Sequence, residues 1–271
     1  MSHGPLGLQP HSDAGRLKDG AGGGERVGQA LDLTWADPPG FFGWFCAVNH
    51  KNIARRFLVT TLVFFVAGGL LALWMRLQLA RPNGGLVGPD LYNQVFTMHG
   101  TTMMFLFAVP VMQAVAMYLV PLMIGARSVA FPRLNAYAFW IFLFGGTMIY
   151  TAFFLNSAGD AGWFAYPPLA GPEFSPGKRI DLWAQMITFT EVSALLEAIV
   201  IICTVLKLRA PGMSLNRVPL FVWAMLVTAF TIMFAMPSVA LASTMLIMDR
   251  LIATHFYNPG EGGHALLWQH L

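Results

Sequence analysis

The stretch from Leu91 to Ile124, LYNQVFTMHGTTMMFLFAVPVMQAVAMYLVPLMI, decides the fold class: it is long and apolar enough to cross a bilayer, yet it carries His99 in its first third. Four more runs reach the roughly 20 residues that a membrane span needs. They are Phe57 to Met75, Ala136 to Asn156, Leu182 to Leu206 and Leu220 to Met248. With 56% hydrophobic and only 11% charged residues among 271, the composition excludes an ordinary soluble domain. It predicts an all-α membrane protein, a polytopic bundle of transmembrane helices.

Residues 1–53 read as a tail and residues 54–271 as the membrane region. The tail is polar and glycine-rich, as in GAGGGER, and has too little apolar surface to order itself. It also lacks the apolar core of a signal peptide, so the first long run is expected to remain as a span. Cys46 in the tail and Cys203 inside a span give no reason to expect a disulfide.

Orientation follows from the basic residues. Lys51, Arg55 and Arg56 precede the first span, Arg127 and Arg133 separate the second from the third, and Lys207, Arg209 and Arg217 separate the fourth from the fifth. No acidic residue lies in those segments, whereas the alternate loops carry Asp90, Asp160, Glu173, Asp181, Asp249 and Glu261. A cytoplasmic N-terminus is therefore expected. The net charge of +3 reflects topology, which makes the lipid bilayer the expected partner and nucleic acid not one.

Of the seven histidines, His99 is the one inside a predicted span. Gly88-Pro89-Asp90 marks a helix start, with proline tolerated in the first turn. That places His99 about 15 Å along the helix, a third to half of the way through the membrane. A neutral imidazole there needs a partner, and a hydroxyl, a backbone carbonyl, a metal or a haem iron would each serve. Gly100 beside it reduces bulk where a macrocycle could approach. Met98, Met103, Met104 and Met112 read as adaptable packing in preference to copper ligands.

Glu191 and Glu197 are the two acidic residues well inside a span. Carboxyls there are costly; each must be protonated, hydrogen-bonded or turned to a hydrated cavity, and such acids serve either proton relays or helix packing. Six residues apart, they point about 120° from each other, so direct proton transfer between them needs waters or further side chains. Thr188 and Ser193 could supply hydroxyls. Arg76, Trp163, Tyr166 and Trp183 fit interfacial positions, with an anionic cofactor edge as the more specific alternative for Arg76 and Trp163.

Taken in order, LYNQVFTMHGTTMMF, VPLMIGARSVAFPRLNAYAFW, AGWFAYPPLAG, RAPGMSLNRVPLFVW, STMLIMDR and FYNPGEGGHALLWQHL closely resemble subunit I of the haem-copper oxidases of the cytochrome c oxidase type. The resemblance runs from about Ala54 to Leu271. It implies that His99 is an axial ligand of a low-spin haem, with Arg76 and Trp163 near the haem's polar substituents and Tyr166 in the adjoining loop. It implies aerobic respiration with cytochrome c as electron donor, oxidase subunits II and III as partners, and a bacterial inner membrane as the location.

The family pattern has about twelve spans, of which five are expected here. Its copper-ligand segment should begin just beyond Leu271, so the high-spin haem and copper belong to the remaining helices of subunit I. No complete catalytic centre is therefore expected in this chain, and no second intramembrane histidine is available to His99. Pumping members commonly have Asp where Ser128 stands, and asparagines at the positions of Met117, Asn135 and Ala136; only Asn135 is kept. Proton pumping by that route is thus in doubt, leaving Glu191, Glu197, Thr188, Ser193 and Asn135 as a possible proton path. His264 and Ala265 replace the usual Asp-Pro. Two alternatives stand beside the oxidase reading: a haem-binding electron-transfer module without oxygen chemistry, and a proton-conducting or purely structural membrane fragment.

Overall fold

A computed structural model describes residues 40–271 together with Gly24, Gly28 and Gln29. The greater part of the expected tail, residues 1–39 apart from those three, lies outside the described residues. Two compact units divide at Asn49 and His50. In the first, Gly40–Cys46 forms a short helix, α1, in which Phe41 stacks on Trp44 with ring centroids 6.2 Å apart.

The second unit is helical throughout its long elements, with no strand among the described residues. Five helices are long and apolar enough to cross a membrane: α2, His50–Gln78; α3, Pro89–Met123; α4, Pro132–Phe154; α5, Arg179–Lys207; and α6, Leu220–Leu251. A last short helix, α7, covers Leu266–His270. The helices contain the expected runs Phe57 to Met75, Leu182 to Leu206 and Leu220 to Met248 whole, whereas the second and third stop one and two residues short of the expected ends at Ile124 and Asn156. Hydropathy ends where charge begins, but the backbone ladder continues through Lys51, Arg55 and Arg56. One consequence is a correction: His50 opens α2 and is buried, so it lies on a spanning helix after all.

The helices form an antiparallel bundle with a basic end, holding the 124–131 and 208–219 connections, and an acidic end, holding the 79–88, 155–178 and 252–265 segments. Helix α5 is central, packed on α3, α4 and α6; 61% of its most apolar window is buried, against 17% for the rim helix α6. Without a hydrophobic drive between helices in lipid, close approach depends on small residues. At Gly146 of α4 a side-chain carbon would sit 2.5 Å from Phe64 of α2, and at Gly145 it would sit 3.0 Å from Phe189 of α5. Phe57, Phe139 and Phe142 fill the space alongside, the Phe57 ring 5.1 Å from Phe139 and 5.3 Å from Phe142.

Helix α3 is continuous but not uniform. It is α-helical over Pro89–Thr101, π-helical over Thr102–Ala108 and α-helical again over Val109–Met123. The Val109 amide donates to the Met104 carbonyl, five residues back. Pro110 explains the irregularity, because it has no N–H to continue the regular ladder. The helix ends at Gly125, whose φ of 69° lets the Ala126 amide reach back to the Pro121 carbonyl at 2.8 Å.

Candidate functional site

His99 lies at the last turn of the first α-helical part of α3, just before the π-helical segment. Its Nδ1 is 3.0 Å from the carbonyl oxygen of Gly68 on α2. A carbonyl can only accept, so Nδ1 carries the proton and Nε2 keeps its lone pair. The ring is half-buried, and Nε2 has no hydrogen-bond partner among the described residues. Gly68 keeps the approach close, since a side-chain carbon there would lie 2.8 Å from Met103 Sδ and displace it.

The residues around His99 are fixed by a set of hydroxyl bonds. Thr97, two residues earlier, donates to the Asn93 carbonyl and accepts the Gly162 amide at 2.9 Å, which ties down the loop carrying Trp163. Thr101 accepts from the Trp183 indole at 2.9 Å, and Thr102 is 2.9 Å from the Tyr150 hydroxyl on α4. Trp183 is only 3% exposed and braces α5 against α3, so the interfacial role expected for it is not what the structure shows. The error has a physical source: an indole needs a partner for its N–H, and here a buried threonine provides one.

Gly100 also has a different use from the one expected. A side-chain carbon there would meet Trp163 Cδ1 at 2.5 Å, so the room is filled by the indole. Trp163 lies 6.4 Å from Phe105 and 5.9 Å from Phe164, which in turn lies 4.9 Å from Tyr166. Trp163 is thus brought next to His99's own helix turn, and Tyr166 is joined to it through Phe164. Arg76 stands exposed in the last turn of α2, about 12 Å along that helix from Gly68. His50 lies about 27 Å along α2 on the other side of Gly68 and cannot pair with His99 across one metal. Among the described residues no three His, Cys, Asp or Glu side chains gather as a metal site.

The acidic end is dense with ion pairs. Arg179 binds Asp90 at 2.5 and 3.0 Å and Asp160 at 3.1 Å, while Arg250 binds Asp181 at 2.6 Å. Arg250 also donates to the carbonyls of Ala170 and Gly177, which clamps the loop that presents Trp163. Buried Gln94 donates to Asp90 and to Asn156.

The residues named for a proton path are only partly brought together. Glu191 and Ser193 line one small cavity between α3, α5 and α6, and Glu197 lines another. Thr188 instead donates to the Ala184 carbonyl and faces Ser243, and Asn135 is buried in the first turn of α4, outside both cavities. Gln113 of α3 lines both, and sequence reasoning missed it. A glutamine in the middle of VPVMQAVAM was the available signal.

These features define a helical membrane bundle that displays one backbone-anchored imidazole with a free ring nitrogen. Residues 52–271 match the family described as Cytochrome C and Quinol oxidase polypeptide I, and the chain belongs to that family. It is 43% identical over 229 residues to a Streptomyces coelicolor protein named "Probable cytochrome c oxidase subunit 1-alpha", covering 84% of this chain and 39% of the relative. It is 42% identical to cytochrome c oxidase subunit 1 of Bacillus sp. (strain PS3), covering 84% and 37%, and 44% identical to that of Synechocystis sp., covering 84% and 40%. The chain thus spans about two-fifths of the length of these relatives.

Proposed function

We propose that this chain forms the N-terminal part of the catalytic subunit of a bacterial cytochrome c oxidase, and that His99 binds a low-spin haem through Nε2. The observation that carries this is the Nδ1 contact to Gly68 at 3.0 Å. A metal-bound histidine almost always donates its second ring N–H to a carbonyl or carboxylate, which fixes the tautomer and raises the basicity of the ligating nitrogen. A histidine satisfied merely for packing has no need of a second nitrogen left open on a half-buried face.

When bound, haem supplies one-electron redox chemistry. The chain's own residues hold and shield it. Gly68 orients the imidazole, Trp163 closes the space above Gly100, and Thr97 and Thr101 keep loop and helix in register. Arg76, with Trp163 and Tyr166, is proposed to meet the polar edge of the haem. Electrons would come from cytochrome c and pass toward a high-spin haem and copper held by other segments of the full-length protein, with subunits II and III as partners. The proposed location is the bacterial inner membrane, with the N-terminus in the cytoplasm.

His99→Ala in the complete complex should abolish the low-spin haem signal in the reduced absorption spectrum while the subunit remains in the membrane. A spectrum that keeps that signal would end the assignment.

A further inference from the structure

The interior of α5 holds an arrangement that haem binding does not use. Glu191 is 3% and Glu197 2% exposed, and all four carboxyl oxygens lack a hydrogen-bond partner among the described residues. The two lie about 9 Å apart along the helix axis and face different sides. Glu191 opens on a cavity of about 70 Å³ with Thr190 and Ser193, and Glu197 opens on one of about 30 Å³ with Thr228. Gln113, 8% exposed and with its Nε2 likewise unpartnered, lines both. No other titratable or charged side chain lines either cavity.

Leaving a buried polar group unsatisfied forfeits its hydration with nothing in return. Three such side chains, converging on two cavities, call for a common ligand. A water needs roughly 10–15 Å³ in this measure and two to four polar partners, so both cavities have room for it. Ser193 donates to the Ala138 carbonyl and Thr190 to the Ile187 carbonyl, which leaves each hydroxyl oxygen free to accept from water. Helix packing accounts less well for the pair, since a packed acid would take a backbone or hydroxyl partner within reach.

We propose that Glu191 and Glu197 are two proton-exchanging stations joined by water ordered on Gln113. Both carboxyls are protonated at rest; once Glu191 has given its proton to its cavity water, the carboxylic O–H of Glu197 breaks as its proton passes to a cavity water, which hands a proton of its own to the water on Gln113 and so to the carboxylate at Glu191. A carboxylate is left at Glu197, and the reverse transfer restores its proton. The carboxamide does not titrate; it donates Nε2–H to the water oxygen and fixes its position. Gln113 is accordingly a positioning residue. This path is separate from His99 and does not rest on the haem reading.

The test is infrared spectroscopy of the purified complete complex in lipid, transferred from H₂O to D₂O. Two protonated-carboxyl C=O bands should shift on exchange, and Glu191→Gln and Glu197→Gln should each remove one. Gln113→Leu should slow the exchange of both by about tenfold, the effect of losing one hydrogen bond to the ordered water, while Gln113→Asn should restore part of the rate. Unshifted bands in the wild-type complex would overturn the proposal, and so would wild-type exchange rates in Gln113→Leu. Should a variant not assemble, the wild-type shift still decides. The reduced haem spectrum of the same samples reports on His99 separately, so the two readings fail independently.

Discussion

The acidic end and the interior of the bundle treat their polar groups in different ways. At the acidic end Arg179 and Arg250 join Asp90, Asp160, Asp181 and two loop carbonyls, and buried Gln94 spends its amide on Asp90 and Asn156. In the interior, the carboxyl oxygens of Glu191 and Glu197 and the Gln113 Nε2 have no hydrogen-bond partner among the described residues. Paired groups fix geometry, here that of the loop holding Trp163 beside His99, although the Gln94 Oε1 is itself unpartnered among the described residues. The unpaired ones gather around cavities, where we propose that they exchange protons. The same residue types serve as scaffold in one place and as proposed conduit in the other, and the deciding difference is whether the protein itself completes their hydrogen bonds.

That contrast can be broken most severely at Arg250, whose side chain is 2% exposed against 12% for Asp181. Arg250→Ala should destabilise the complex by about 3–5 kcal/mol, because it strands a buried carboxylate. A thermal midpoint close to that of the wild type would show that the pair is ornamental.

A smaller effect, confined to alkaline solution, is expected at Tyr257. Its hydroxyl donates to the Ala242 carbonyl at 3.0 Å, and burial, reinforced by the nearby Asp249 carboxylate, pushes it up to about 12. The unfolded chain gives up this proton near pH 10. Stability from this group is therefore complete below pH 10 and is lost between about 10 and 12, where the unfolded state binds fewer protons. Tyr257→Phe should flatten that part of the pH dependence of the melting temperature, and an unchanged slope would remove Tyr257 from the account.

The smallest change should come from the interior. Glu197→Gln keeps shape and removes no protein hydrogen bond, so thermal stability should stay within about 1 kcal/mol of wild type. A loss as large as that at Arg250 would mean that Glu197 is scaffold too, and the comparison would fail.

Much of the architecture was legible in the sequence, since five apolar runs of membrane length leave little choice but a helical bundle. The boundaries were less so. Hydropathy cannot see a backbone ladder that continues into charged residues, and His50 was therefore placed outside the spans. His99 stood out as a lone imidazole in hydrocarbon, but its anchor did not, because Gly68 lies 31 residues away and contributes only a carbonyl. Trp183 was misplaced for a similar reason: its partner Thr101 is 82 residues distant. Glu191 and Glu197 were visible by charge alone, whereas Gln113, uncharged and on another helix, acquires meaning only from the cavities it shares with them.

The π-helical segment Thr102–Ala108 has a consequence for how these parts are phased. Each added residue turns a helix by about 100°, so this one irregular coil sets the angle between the imidazole upstream and the carboxamide downstream. Shortening it by a single residue would leave His99 engaged with its neighbour while rotating Gln113 off both cavities. The kink thus acts as a fixed offset that lets one continuous rod serve two separate compartments.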